Sequence, residues 1–150
     1  MIKKFIFVLL VSLSSGVSAS DISTSVTCYT SGHYDGKKPI NMKHVTLNLE
    51  KDNAELTYVK YEKSDSAIPI VFVKYEEIKR YPGSPIETMI WNEMIDGKVN
   101  GIYTFFLKSR SDGFDDYSEF SYKNNESGKR VYFSRIKKAY DEKTNDCIWK

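Results

Sequence analysis

Four groups of residues in this chain carry side chains capable of chemistry: two cysteines, two histidines, a run of acids and a scatter of aromatic rings. A thiol becomes a nucleophile when a histidine and an orienting partner stand beside it. His33 is five residues from Cys28, which along an extended strand is roughly 16 Å. Two cysteines behind an export signal pair instead, because an oxidising compartment permits the bond. A Cys28–Cys147 disulfide would close a loop of roughly 120 residues. It requires the first and last strands to be neighbours, with their α-carbons within about 7 Å.

His33 sits in a turn-like stretch, Ser31-Gly32-His33-Tyr34-Asp35-Gly36, and His44 lies on the polar face of an alternating strand. Their separation fits no zinc pattern, and no further His or Cys completes a ligand set. Both read as surface residues, and no metal and no cofactor is expected. Asp112, Asp115, Asp116 and Glu119 crowd one loop. Calcium asks for six to eight oxygens, but the spacing is not that of an EF-hand. The loop reads as a solvated acidic stretch.

Paired acids can also hydrolyse a glycosidic bond when they stand about 5 to 9 Å apart. Asp115 with Glu119, or Glu87 with Glu93, would serve by type alone. Among 20 acidic residues, however, some pair meets that distance by chance. No G-x-S-x-G, P-loop or Rossmann signature is present. The sequence therefore carries no catalytic set. The aromatic residues Tyr34, Tyr58, Tyr61, Trp91, Tyr117, Tyr122 and Tyr132 are candidates for an interface, since flat amphipathic rings are enriched at binding surfaces. Strands also use such rings in cross-strand pairs, which is the structural alternative.

The elements that position these residues read as strands. Val45, Leu47 and Leu49 alternate with His44, Thr46 and Asn48, and Leu56 to Tyr61 runs back, so residues 43–61 form a hairpin. Ile68 to Tyr75 is apolar at both parities, which suggests a central strand covered on both faces. Lys74 to Tyr81 is open between strand and helical turn. Ile86 to Ile95 and Gly101 to Lys108 are joined around Asp96-Gly97 and Asn100-Gly101, dipeptides suited to tight turns. Tyr117 to Lys123 and Lys129 to Ile136 flank a second hairpin turn. Arg135 to Tyr140 suits a helical turn, and Cys147 to Trp149 a last short strand. Seven to nine strands with local connections give an all-β fold: an antiparallel β-sandwich, with a closed β-barrel as the alternative.

Lys3 and Lys4 precede the apolar run Phe5–Leu13, and Val17-Ser18-Ala19 matches a small-x-small cleavage site. Residues 1–19 are therefore expected to be a signal peptide of bacterial form, and 20–150 a single β-rich domain. The run is shorter than the roughly 20 residues a spanning helix needs. The precursor holds 22 basic and 20 acidic residues, so removing Lys3 and Lys4 leaves a formally neutral chain. The remaining lysines are scattered among acids, which supports no basic face, no nucleic-acid partner and no stable membrane insertion after cleavage.

Together these features lead to a periplasmic or secreted binding protein. Its partner would be another protein, as for an inhibitor or immunity-type factor. Two alternatives remain: a small carboxylate-based hydrolase of cell-wall or polysaccharide material, and a β-barrel that binds a small ligand.

Overall fold

The computed structural model describes residues 22–32, 37–49, 54–78, 86–109 and 115–149. The expected signal peptide 1–19 lies outside them, as do His33, Tyr34 and Asp112. Eight strands run in sequence: β1 (Ile22–Thr30), β2 (Asn41–Leu49), β3 (Ala54–Tyr61), β4 (Ile68–Ile78), β5 (Ile86–Ile95), β6 (Lys98–Ser109), β7 (Asp115–Asn124) and β8 (Arg130–Arg135). Each pairs antiparallel with the next, and β8 returns to β1 to close a barrel. Of the two all-β arrangements open to this sequence, the barrel is the one that forms. Register shifts between Phe72 and Lys74, Glu93 and Met94, and Phe106 and Lys108 bend the long strands β4 to β7. An extra residue in one strand adds local twist and bend, and that curvature helps to roll a single sheet shut.

Asp96 and Gly97 form the β5–β6 turn with φ of 50° and 73°, as the dipeptide predicts. Asn100-Gly101 does not turn. It lies within β6, and the glycine has another reason to be there, described below.

One face of each strand fills the barrel. Tyr29, Met42, Val59, Ile70, Tyr103, Phe105, Phe120 and Phe133 form the core. Phe120 stacks on Phe133 at 4.6 Å and meets Tyr29 edge-on at 4.8 Å. The outer face carries Lys43, Lys60, Lys74, Glu76, Glu119 and Lys123 among its apolar residues. No helix among the described residues is long and apolar enough to cross a membrane.

Beyond β8 the chain makes a 3₁₀ turn, Lys137–Ala139, where the sequence suits a helical turn. A small hairpin follows, β9 (Tyr140–Asp141) with β10 (Asp146–Cys147). Cys147 is bonded to Cys28, with α-carbons 5.8 Å apart. The expected disulfide is formed, but β10 is not a sheet neighbour of β1; it pairs with β9, and β8 makes the closing ladder. The bond thus pins an outer hairpin to the barrel wall. Lys43 Nζ meets Asp146 Oδ1 at 2.6 Å beside it. Burial pushes the Asp146 carboxyl up, but Lys43 and the Cys147 amide outweigh it and hold the group below its usual value.

Candidate functional site: a half-polar cavity in the barrel

The two halves of the barrel interior are built differently. In the closed half, Glu93 is buried at 2% exposure and accepts hydrogen bonds from Tyr122 Oη at 2.7 Å, Tyr103 Oη at 3.0 Å and Asn100 Nδ2. Because Tyr103 gives its proton to Glu93, its oxygen accepts from Tyr61 Oη at 3.0 Å. Burial raises the Tyr61, Tyr103 and Tyr122 hydroxyls, Tyr122 to about 12, so all three remain donors at neutral pH. Gly101 faces Glu93 across the β5–β6 ladder, and a Cβ there would fall on the Tyr122 ring. Glycine is needed for that close approach rather than for a turn. This satisfied network plugs one end.

The open half holds a cavity of about 280 Å³. One wall is polar: Ser25 and Thr27 from β1, His44, Thr46 and Asn48 from β2, and Glu55 from β3. The facing wall is apolar and aromatic, with Met89 and Trp91 from β5 and Phe105 from β6; Tyr29 also lines the space. The β2 alternation therefore has the opposite sense to that expected. Val45 pairs with Val26 on one side and Tyr58 on the other, on the face away from the cavity, where it is itself buried at 2% exposure, while His44, Thr46 and Asn48 line the cavity. His44 is not a surface residue: its ring packs 4.9 Å from Phe105 and 6.5 Å from Trp91.

Two atoms in these walls stand out. His44 Nε2 and Trp91 Nε1 are both buried, and no described protein group hydrogen-bonds to either. Leaving a buried polar atom unmatched costs about 1–3 kcal/mol, so native interiors rarely keep one without a use for it. Burial lowers the His44 pKa from 6.5 to about 4. The ring is thus neutral at physiological pH, with one nitrogen able to donate and the other to accept. Trp91 can only donate.

The barrel wall is incomplete beside this cavity. β3 and β4 pair from Val59↔Ile68 to Thr57↔Ile70 and then part. From Val71 to Ile78, β4 is paired among the described residues with β5 alone. Val71, Phe72 and Val73 are 53%, 48% and 46% exposed. The strand expected to be covered on both faces is instead uncovered on both, because its second neighbour has diverged. A cleft of about 670 Å³ opens there, and Glu55, Met89 and Trp91 line both it and the inner cavity.

The remaining candidates are dispersed. Tyr61 and Tyr122 belong to the Glu93 network, Tyr58 is half-buried outside, and Tyr132 is exposed on β8. Tyr117, Asp115 and Asp116 fall in β7, and Glu119 is exposed there. Glu87 and Glu93 are six residues apart on β5, about 20 Å along a strand, and Asp115 and Glu119 lie four apart on β7 across a register shift. The first pair lies beyond glycosidase spacing. Among the described residues, no group of three or more His, Cys, Asp or Glu is placed to hold a metal ion. One basic cluster does form, contrary to the scattered pattern of the sequence: Lys37, Lys38, Lys129 and Arg130 border a groove with Ile40, Val131 and Tyr132.

No family model, no curated protein and no solved structure matches this chain.

Proposed function

We propose that this protein binds a small molecule in the open half of its barrel, as an exported or periplasmic binding protein without catalysis. One observation carries the reading: His44 and Trp91 line the cavity, and the Nε2 of the one and the Nε1 of the other are buried and matched by no described protein group. A ligand with a hydrogen-bond acceptor for the indole N–H would satisfy an atom that the fold leaves unmatched. The mixed wall suits such a ligand, since binding sites join an apolar surface to a few placed polar groups. Export rests on the apolar N-terminal run and agrees with the Cys28–Cys147 bond. The test is calorimetric titration with small neutral ring alcohols and amides, cyclohexanol and benzamide, on wild type and Trp91→Phe. Saturable binding that weakens about tenfold or more in the variant is expected. Binding that ignores the substitution, or no binding at all, would remove the reading.

A second reading, an inhibitor or immunity-type factor that binds another protein, draws on the exposed apolar stretch Val71–Val73 of β4. A pull-down from periplasmic and extracellular extracts, compared with a Val71→Lys, Val73→Lys variant, tests it. A specific partner lost in the variant is the expected result, and no partner would count against it.

A further inference from the structure

The parted wall between β3 and β4 bears on what kind of molecule the cavity takes. We infer that the ligand is a neutral-headed, single-chain amphiphile. Its hydroxyl-bearing head is held inside the barrel by His44 and Trp91, and its aliphatic tail leaves between β3 and β4 along Leu56, Val71 and Phe72. This rests on the cavity being a binding site.

The tail path follows from the wall. Leu56 is 58% exposed and stands across the gap from Val71 and Phe72, with Ile70 and Met89 at its base. A contiguous exposed apolar patch is unusual on a water-facing protein and commonly marks a contact surface. Covering it removes apolar area from water, which is favourable in proportion to the area. Continuity names the occupant. The cleft and the cavity share Glu55, Met89 and Trp91, so one molecule can lie in both. Trp91 is the junction, with its ring edge-on to Phe72 at 5.3 Å on the cleft side and its side chain lining the cavity opposite the polar wall. A molecule that satisfies both spaces is polar at its inner end and apolar along its outer length.

The head follows from the polar wall. Ser25, Thr27 and Thr46 offer hydroxyls, and Asn48 offers an amide. These groups and a neutral imidazole pair with hydroxyls and ester carbonyls. An anionic head is opposed by Glu55, the one carboxylate among the described residues that line the cavity, and those residues include no cation to offset its desolvation. A quaternary ammonium head has no acceptor for the Trp91 N–H. A glyceryl ester meets each of these demands.

The test is calorimetric titration of the disulfide-intact protein with monolauroylglycerol below its micelle concentration. Glycerol, dodecanoate and dodecyltrimethylammonium are the comparison ligands. Trp91→Phe alters the head site, and Leu56→Lys and Phe72→Ser alter the tail path at exposed positions. Expected is one monolauroylglycerol per chain, with glycerol weaker by 100-fold or more. Trp91→Phe and Phe72→Ser should each weaken the ester about tenfold. Cyclohexanol or benzamide binding in a Trp91-dependent way, with the ester no tighter and Phe72→Ser without effect, would overturn the amphiphile and leave the cavity site standing. Tighter binding of dodecanoate or dodecyltrimethylammonium would overturn the neutral head. Dimers in sedimentation that Leu56→Lys dissolves would put a second copy on β4 and overturn the tail path. No binding of the ester or of the ring compounds would overturn both the inference and the site.

Discussion

Acid should destabilise this protein through His44, by an amount that follows from where the ring sits. The unfolded chain takes up that proton near pH 6.5, whereas burial holds the folded ring at about 4. Below pH 6.5 the unfolded state therefore binds more protons, and stability falls as pH falls. The contribution is complete above about pH 6.5, is lost down to about pH 4, and changes no further below. At about 1.4 kcal/mol per pH unit, the limiting loss is about 3 kcal/mol, a large part of the 5–15 kcal/mol that holds a typical domain folded. Asp146, whose carboxyl is held below its usual value, also contributes stability that is lost as pH falls, so wild type alone does not isolate the histidine. The comparison is urea unfolding of wild type and His44→Gln at pH 7 and pH 4.5. Wild type should lose about 2 kcal/mol more than the variant between the two. Equal losses, or an imidazole that titrates near 6.5 by NMR in the folded protein, would refute the reasoning and with it the neutral ring that the site requires.

Removing the disulfide with Cys28→Ser and Cys147→Ser frees a loop spanning 119 positions. By loop entropy this costs up to about 5 kcal/mol, so denaturant melts should show a loss of about 2–5 kcal/mol, and an unchanged midpoint would contradict the clamp. Tyr103→Phe removes the hydroxyl that links Tyr61 to Glu93 and should cost about 1.5–3 kcal/mol in the same assay. Gly101→Ala places a methyl on the Tyr122 ring and should cost about 1–3 kcal/mol; near-neutrality would mean that the ring has room to move. Trp91→Phe without ligand should cost about 1 kcal/mol or less, because deleting an unmatched indole N–H offsets part of the lost packing.

Local features were legible in the chain. Period-two alternation, the Asp96-Gly97 turn and the pair of cysteines all act within a few residues or through a known chemical preference, and each has its counterpart in the fold. What depends on distant partners was not legible. Alternation along β2 separates Val45 and Leu47 from His44 and Thr46, but it does not say which set turns inward. In this barrel the rings of Tyr103, Phe105, Phe120 and Phe133 fill much of the interior, leaving space beside β1 and β2 for the polar set. Asn100-Gly101 has the composition of a turn, and only the Tyr122 ring, from another strand, explains its glycine. Glu93 looks like any other acid until Tyr61, Tyr103 and Tyr122 are brought round it from β3, β6 and β7. The apolar run of β4 resembles a central strand, because sequence carries no sign that β3 leaves it after Ile70.

The chain has two tryptophans, and they make an internal control for the central claim. Trp91 lines the cavity, whereas Trp149 stands by the C-terminal hairpin outside the barrel. A titration of the ¹⁵N-labelled protein with monolauroylglycerol, read at the two indole N–H resonances, compares them directly. Saturable movement of the Trp91 signal with Trp149 unmoved is the expected result. A Trp91 signal that stays fixed, or two signals that drift together, would contradict a binding site inside the barrel.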